Sequence, residues 1–524
     1  MASVDITRYI RGFKIKTADV ELWRQLEMFN ENLIQPKMPA SAPKWGTTPV
    51  EEKGDLFYFF NEYDRTFHYI DPLWETVMQV IDTFKMGRGL AKIEVNITKV
   101  NATDGKSVNF QRHNLSVYEE EGSRFDYQNP IVKYVTREGY NHDVLELQTG
   151  SGKTAIAMKA MIAHGKRTII ITKPAYLDKW TDDLTKKSPS LNLRPGELIK
   201  IVGVKSVDAL FEMGNDGSID GGKGLKECKV ILMSSKTLEL WFQKLALEKS
   251  EYNVEGLIPA TGTGLIVYDE SHEFFRMNYI SFVLLNAARV IDLTATIVPS
   301  TTFIKRRYDE RFPALSRYNG LEYNKYIDAY SIYYHTDNKK LLQRIMRLKM
   351  YNHIEFEKVI LKGVKMLKAY FDMVDELLNL WYFKEYKEGQ RVLVYFASQI
   401  MCTKFAEYLT EKYPKFKVER FIQGDNYQTF LAADIGVSTP GKSGTAVDIP
   451  GLIMTICTVA LGKEDKNLQI LGRTRELTKW DMAPKAVFLH CQQINKHCKY
   501  LQRRQKIFEG KVKSFKTLNS KFRI

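Results

Sequence analysis

The sequence predicts an α/β protein in which short buried strands, each ending in a polar loop and followed by a helix, recur through both halves of the chain. Three observations carry this. Val144-Leu145-Glu146-Leu147 reads as a strand, QTGSGKT over Gln148–Thr154 as a glycine loop, and residues 155–161 as a helix. Apolar runs at 168–171, 230–233, 265–268 and 391–396 end in loops rich in hydroxyls, lysine or acids, the pattern of buried parallel strands. With 524 residues, 44% hydrophobic and 27% charged, the chain has room for two to four domains. The divisions expected are a small α+β region over 1–118, α/β domains over 119–315 and 316–495, and a basic helical tail over 496–524.

Charge narrows the function classes. A formal net charge of +15 favours a polyanionic partner, nucleic acid before an anionic membrane surface. No run of eighteen apolar residues occurs, and Asp5 and Arg8 stand where a signal peptide needs an apolar core, so the chain reads as soluble and cytoplasmic, without a membrane partner. Five cysteines with no CxxC pair argue against a disulfide framework. His490-Cys491 and His497-Cys498 present soft ligands at seven-residue spacing, which reads either as a metal site or as one face of a helix.

In the N-terminal region, residues 56–60 and 66–70 read as two aromatic strands around a turn, 72–84 as an amphipathic helix with Leu73, Val77, Val80, Ile81 and Phe84 on one face, and 91–97 as an alternating strand. The rings have two readings, a stacking platform for bases with Arg65 and Lys92 near phosphates, or the core of a small domain.

The glycine loop is a phosphate cradle. Thr149, Gly150, Ser151 and Gly152 turn backbone N–H groups towards phosphate oxygens, Lys153 reaches the β- and γ-phosphates, and the Thr154 hydroxyl can hold Mg²⁺. The general pattern asks for glycine where Leu147 stands. Upstream, Gln128 carries an amide that can donate to and accept from adenine at once, which makes ATP the expected nucleotide.

Later strand ends supply the rest. Lys173-Pro174 and Ser235-Lys236-Thr237 offer groups to a nucleic-acid backbone. Asp269 and Glu270 end an apolar strand, the first suited to hold hydrated Mg²⁺ and the second to orient and deprotonate water; His272 follows. Residues 291–296 form a strand with a hydroxyl-bearing end that would link hydrolysis to nucleic-acid contact, and 339–386 read as helices joining two domains. In the second half Thr439 can touch a phosphate, Asp448 a ribose hydroxyl, and Gln469, Arg473 and Arg475 share one segment. An arginine brought from a second domain to a γ-phosphate contributes on the order of 10³ to 10⁵ in rate.

QTGSGKT, TKPAYLDKW, MSSKTLEL, YDESH, LTAT, VLVYFAS, STPGKSGTAVDIPG and QILGRTR resemble, in order, the motifs of superfamily 2 helicases. The resemblance implies two tandem RecA-like domains with parallel sheets flanked by helices, binding ATP and single-stranded nucleic acid in or across their cleft. Glu476 stands where the family often has a last arginine, so Arg473 and Arg475 both remain candidates for the finger, with Arg473 favoured. His272 is at a position that bridges to the last motif, which implies Gln469 as its partner.

The aromatic strands, NEYDRTFHYID and LWETVMQVIDTF resemble the N-terminal region of UvsW-type phage helicases. That resemblance implies a monomeric ATP-dependent DNA helicase acting on single-stranded and branched DNA in replication, recombination or repair, in a host cytoplasm if phage-encoded, alongside replication or recombination proteins. Two alternatives stay open: an RNA helicase or RNA–protein remodelling ATPase on the same motor, with RNA or RNA–DNA hybrids as partners, and a non-catalytic nucleic-acid scaffold. The tail, with Lys496, Lys499, Arg503, Arg504, Lys506, Lys511, Lys513, Lys516, Lys521 and Arg523 opposed only by Glu509, reads as a phosphate-contacting arm or as a solvated helix face.

Overall fold

The computed structural model describes residues 3–35, 54–87, 93–115, 126–148, 150–186, 190–213, 224–295, 297, 299, 301–318, 324–339, 341–343, 351–442, 449–477 and 479–524. The chain divides into two compact units, Met1–Leu147 with Gly152–Leu321, and Gln148–Ser151 with Glu322–Ile524.

The first unit opens with a five-stranded sheet. Strands β1 (Ser3–Arg8), β2 (Gly12–Thr17), β5 (Phe59–Asn61), β6 (Thr66–Ile70) and β7 (Glu94–Lys99) lie in the order β5-β6-β2-β1-β7; β3 (Ile34–Gln35) and β4 (Asp55–Leu56) pair separately. The β1–β2 hairpin, which the sequence reading did not anticipate, places Val4, Ile6, Phe13 and Ile15 inside through strict alternation. Helix Val20–Asn30 starts where the Asp19 carboxylate accepts from the Glu21 and Leu22 amides, and it buries Leu22, Trp23 and Leu26. Trp23 stacks on Phe67 at 4.2 Å between ring centroids. With Phe57, Phe59, Phe67 and Tyr69 all buried, the core reading of the aromatic run holds, and these rings form no base-stacking platform. The expected amphipathic helix runs Trp74–Gly87, with Leu73, Val77 and Ile81 buried.

The sheet's second face covers helices of the larger layer that follows. Phe57 packs on Phe275 and Tyr279, Lys14 pairs with Glu255 at 2.8 Å, and Arg11 donates to the Leu285 and Ala287 carbonyls. Helix Phe275–Leu284 is therefore enclosed on nearly all sides, and its sequence lacks a polar stripe for that reason.

That layer is a seven-stranded parallel sheet of β8 (His142–Glu146), β9 (Thr168–Thr172), β10 (Leu198–Ile201), β11 (Val230–Ser234), β12 (Leu265–Asp269), β13 (Arg289–Thr294) and β14 (Arg317–Tyr318), ordered β10-β11-β9-β12-β13-β8-β14. Below it, Arg311 grips both Asp292 oxygens at 2.6 and 2.9 Å, and His142 lies 2.7 Å from the same carboxylate, all buried.

The second unit holds β15 (Asp328–His335), β16 (Arg391–Tyr395), β17 (Val418–Phe421), β18 (Ile435–Ser438), β19 (Leu452–Cys457), β20 (Lys485–Cys491) and β21 (Ser514–Arg523), all parallel, ordered β17-β18-β16-β19-β20-β15-β21. Numbered within each sheet by chain order, both read 3-4-2-5-6-1-7, so one topology occurs twice. These are the tandem RecA-like sheets that the motif order implied.

The duplication corrects two expectations. Helices His353–Lys362 and Val364–Trp381, read as connectors, bury Phe356, Ile360, Tyr370, Phe371, Val374 and Leu378 in the second core. The tail is not helical throughout. Helix Asn495–Phe508 packs through Leu501, Ile507 and Phe508, and Ser514–Arg523 is the seventh strand, paired along β15. Its polar sequence hid it, because an edge strand exposes most of its side chains.

Candidate nucleotide site and strand-edge loops

The site of the first unit is assembled at the carboxyl ends of its parallel strands, where ligand loops of open α/β sheets lie. β8 delivers the glycine loop. Gly150 has φ +91° and Gly152 φ +73°, backbone that an L side chain adopts only under strain. Leu147, at the place of the absent glycine, is buried, and its amide donates to the Thr294 carbonyl. The residue belongs to the core there, and the turn begins one residue later. Lys153 and Thr154 open helix Lys153–His164, so the positive end of the helix dipole lies at the loop.

Lys153 Nζ donates to the Leu147 carbonyl at 3.2 Å and lies 3.8 Å from a Glu270 oxygen. Asp269 accepts from Thr172 Oγ1 at 3.1 Å and Trp180 Nε1 at 2.8 Å. Both donors were missed in sequence, although Trp180 sits in the quoted TKPAYLDKW segment. Burial, then the neighbouring Glu270 charge, raises the Asp269 carboxyl. Burial alone would raise Glu270 too, but Lys153, His272, Lys173 and Lys179 outweigh it and hold Glu270 at about 2. Glu270 also has φ +50°, a turned backbone for a non-glycine residue at a strand end. The two adjacent acids thus occupy different electrostatic surroundings, as two different roles require.

Two further groups join this cluster. His272 Nδ1 lies 2.7 Å from Thr294 Oγ1 and 3.5 Å from Glu270, so one imidazole touches both the acid pair and the end of β13. Gln128, 1% exposed, has both carboxamide atoms without a hydrogen-bond partner, and a Cβ built on Gly152 would meet its Nε2 at 2.5 Å. A buried amide with its donor and acceptor both open, beside a glycine loop, fits the edge of an adenine. The donor set also fits ATP phosphates and Mg²⁺: Thr154 and Asp269 would supply two oxygens and phosphate the others.

The expected nucleic-acid groups are more varied. Lys173 is nearly buried and pairs with Glu273; Pro174 starts a short 3₁₀ turn after it. Ser235 donates to Asn278 at 3.1 Å, and Thr237 is engaged by the Ser234 cap, both buried. Lys236 is the exposed member, 2.7 Å from Glu239. In the second unit Thr439 follows β18 and accepts from the Lys442 amide. Gln469 and Arg473 are nearly buried on and after helix Glu464–Leu471; Lys466 donates to Gln469 at 2.9 Å, and Arg475 donates to the Gly472 carbonyl. Thr149 and Asp448 lie outside the described residues.

His490 and His497 are buried and hydrogen-bonded, His490 to Arg504 at 2.8 Å and His497 to the Cys491 amide at 3.0 Å. Among the described residues no cluster of three or more His, Cys, Asp or Glu could hold a metal. Nor is any described helix long and apolar enough to cross a membrane.

Comparison with known proteins gives one family match and a set of distant structural likenesses. The family described as Type III restriction enzyme, res subunit, matches residues 121–298. None of the curated proteins matches. Among solved structures, S. cerevisiae Dbp5 bound to RNA and ADP BeF3 shares 13% identity over 75% of this chain and 89% of that one, with a TM-score of 0.46. T4 UvsW shares 14% over 99% of each chain with a TM-score of 0.31, and the Pyrococcus furiosus Hef helicase domain 14% over 72% and 97% with 0.41. The family match over residues 121–298, the ordered motifs and the paired seven-stranded parallel sheets together support a superfamily 2 helicase with an ATP-hydrolysing motor.

Proposed function

We propose that the protein is an ATP-dependent DNA translocase that unwinds or branch-migrates forked and junction DNA. The observation that carries the motor part is the cluster of Lys153, Asp269, Glu270, His272 and Thr294 at one sheet edge, with the open Gln128 amide beside Gly152. Lys153 exchanges the Leu147 carbonyl and Glu270 for phosphate oxygens, and Gln128 selects adenine. Mg²⁺, when bound by Thr154 and Asp269, neutralises phosphate charge. Glu270, ionised at all physiological pH, orients the attacking water and accepts its proton. His272 passes the state of the acid pair to Thr294. The motif resemblance gives the transition-state charge to Arg473 or Arg475, the ribose to Asp448, and to Gln469 the role of partner for His272.

Support for a polyanionic track comes from the +15 charge and from the exposed Lys496, Lys499, Arg503 and Lys506 along one face of helix Asn495–Phe508. Lys236 and Thr439 add backbone contacts; Lys173 joins them on release from Glu273. Duplex branch points are the substrate inferred from the N-terminal resemblance.

The test is ATPase rate and strand separation on single-stranded, forked and four-way DNA and on matched RNA, with Lys153→Ala and Glu270→Gln as controls. Stimulation by branched DNA that falls by at least about 10²-fold in Glu270→Gln supports the reading. Stimulation by RNA alone moves the protein to the RNA helicases. No phosphate release at all leaves a nucleic-acid scaffold.

A further inference from the structure

The second unit contains a buried polar relay that the nucleotide site does not use. Glu357, on helix His353–Lys362, is 0% exposed. One of its oxygens accepts from the Ala397 amide and the other from the Ser398 amide, each at 2.7 Å. Both amides belong to the loop that follows β16, and Ser398 then caps helix Gln399–Lys412. A single carboxylate thus fixes how a strand end turns into a helix.

The relay continues from there to two more strand ends. His353 Nε2 lies 3.7 Å from Glu357, and His353 Nδ1 lies 3.3 Å from the Ala460 amide beyond β19 and 2.5 Å from Tyr351 Oη. Tyr351 Oη also meets His497 Nε2, and His497 Nδ1 accepts from the Cys491 amide at the end of β20. The donor–acceptor order follows by elimination. An amide can only donate, so His497 Nδ1 is unprotonated and Nε2–H donates to Tyr351. The tyrosine hydroxyl then donates to His353 Nδ1, which leaves His353 Nε2–H facing Glu357. Each hydrogen bond has one direction, and the chain ends on His353, whose Nε2–H faces the carboxylate at 3.7 Å without a hydrogen bond.

Resting on the motor reading above, we propose that Glu357 is a positioning residue: its carboxylate holds the Phe396–Ser398 loop in register with Ala460 and Cys491 at the carboxyl edge of the second sheet, and its ionisation sets how that edge engages a polynucleotide. Thr439, after the adjacent β18, shares the edge. The groups facing Glu357 from its surroundings are Tyr334 on β15, Tyr351, His353, Tyr370 on helix Val364–Trp381, Cys402 on helix Gln399–Lys412 and Cys457 on β19. None of them is charged near neutrality. Burial raises the three phenols well above their ordinary value, moves the thiols of Cys402 and Cys457 up to about 12 and about 11, and moves His353 down to about 3. Glu357, raised by burial to about 7 against the opposing pull of its amide donors, is the one member that titrates in the physiological range. On protonation one oxygen becomes a donor, and an amide of the loop loses its acceptor.

The experiment pairs backbone hydrogen exchange with polynucleotide-stimulated ATPase, both from pH 8 to pH 6, in the wild-type chain, Glu357→Gln and Tyr351→Phe. Exchange corrected for its intrinsic pH dependence should show protection of residues 396–399 lost in Glu357→Gln at every pH, and falling in the wild type as pH drops. The half-saturating polynucleotide concentration should rise about tenfold over the same interval, the loss of one charge-assisted hydrogen bond, with a flat profile in Glu357→Gln. Tyr351→Phe, which cuts the relay and spares the carboxylate, should show a shifted midpoint. Unchanged exchange in Glu357→Gln overturns the proposal. Changed exchange with the same polynucleotide profile as wild type also overturns it, leaving Glu357 a structural residue. A wild-type chain that no polynucleotide stimulates removes the motor reading and this proposal together, whereas stimulation with a flat wild-type profile removes this proposal alone.

Discussion

Replacing Gly152 by alanine tests the adenine assignment, because the new methyl group is aimed at Gln128. Two terms act. At φ +73° an alanine costs about 1–2 kcal/mol over glycine, which lowers the melting temperature by about 2–8 °C. The added Cβ would stand 2.5 Å from Gln128 Nε2, and ordinary contact begins near 3.4 Å, so the amide must retreat by about 0.9 Å. A shift of that size misaligns a bidentate pair, which is worth about 1–3 kcal/mol of discrimination, or roughly 5- to 150-fold. The assay is kcat/KM for ATP against GTP in Gly152→Ala, Gln128→Ala and the double variant. Each single variant should lose the preference for ATP, and the double should lose little more than Gln128→Ala alone, because the methyl group then has no amide to displace. A preference for ATP retained by Gln128→Ala, or effects that simply add, would refute the placement of adenine at Gln128.

Three further outcomes are expected. Arg311→Met leaves Asp292 charged in a fully buried place and should destabilise the first unit by about 3–5 kcal/mol, read by urea titration; a change under about 1 kcal/mol would mean that the pair is dispensable. Glu357 has its carboxyl raised from 4.5 to about 7 in the fold, so its contribution to stability is present below pH 4.5 and is lost as pH rises through 7, by on the order of 3 kcal/mol. Melting temperature against pH should show this fall in the wild type and not in Glu357→Gln. Substituting glutamine for Lys496, Lys499 and Lys506 should flatten the dependence of nucleic-acid affinity on log salt by about 0.9 for each phosphate no longer neutralised, without cutting into the sheet as removal of 496–524 would.

The motor was legible because its residues are local in sequence: a strand, a glycine loop and a helix in succession, and two acids at a strand end. What sequence could not fix is direction. Ser235 and Thr237 follow a strand just as Lys173 does, yet their hydroxyls turn inward to Asn278 and Ser234. The hairpin Ser3–Thr17 was missed because each strand offers only two core residues, Val4 and Ile6 or Phe13 and Ile15, among polar neighbours. Ser514–Arg523 reads as a basic tail because its partner β15 lies far upstream in the chain. Glu357 gives no local sign at all: its two amide donors are 40 and 41 residues away.

The strand order 3-4-2-5-6-1-7 has a consequence for how the chain comes to be folded. In each sheet the strand made first pairs with the two made last. β15 stays without either neighbour until β20 and β21 have been synthesised; the bond from Ser514 to Asp328 spans 186 residues. Such late closure slows folding and leaves a bare strand edge during synthesis, the geometry that invites mispairing. A nascent chain halted before residue 485 should therefore hold a sheet with an unclaimed first strand, and its second unit should remain protease-sensitive until the last strand arrives.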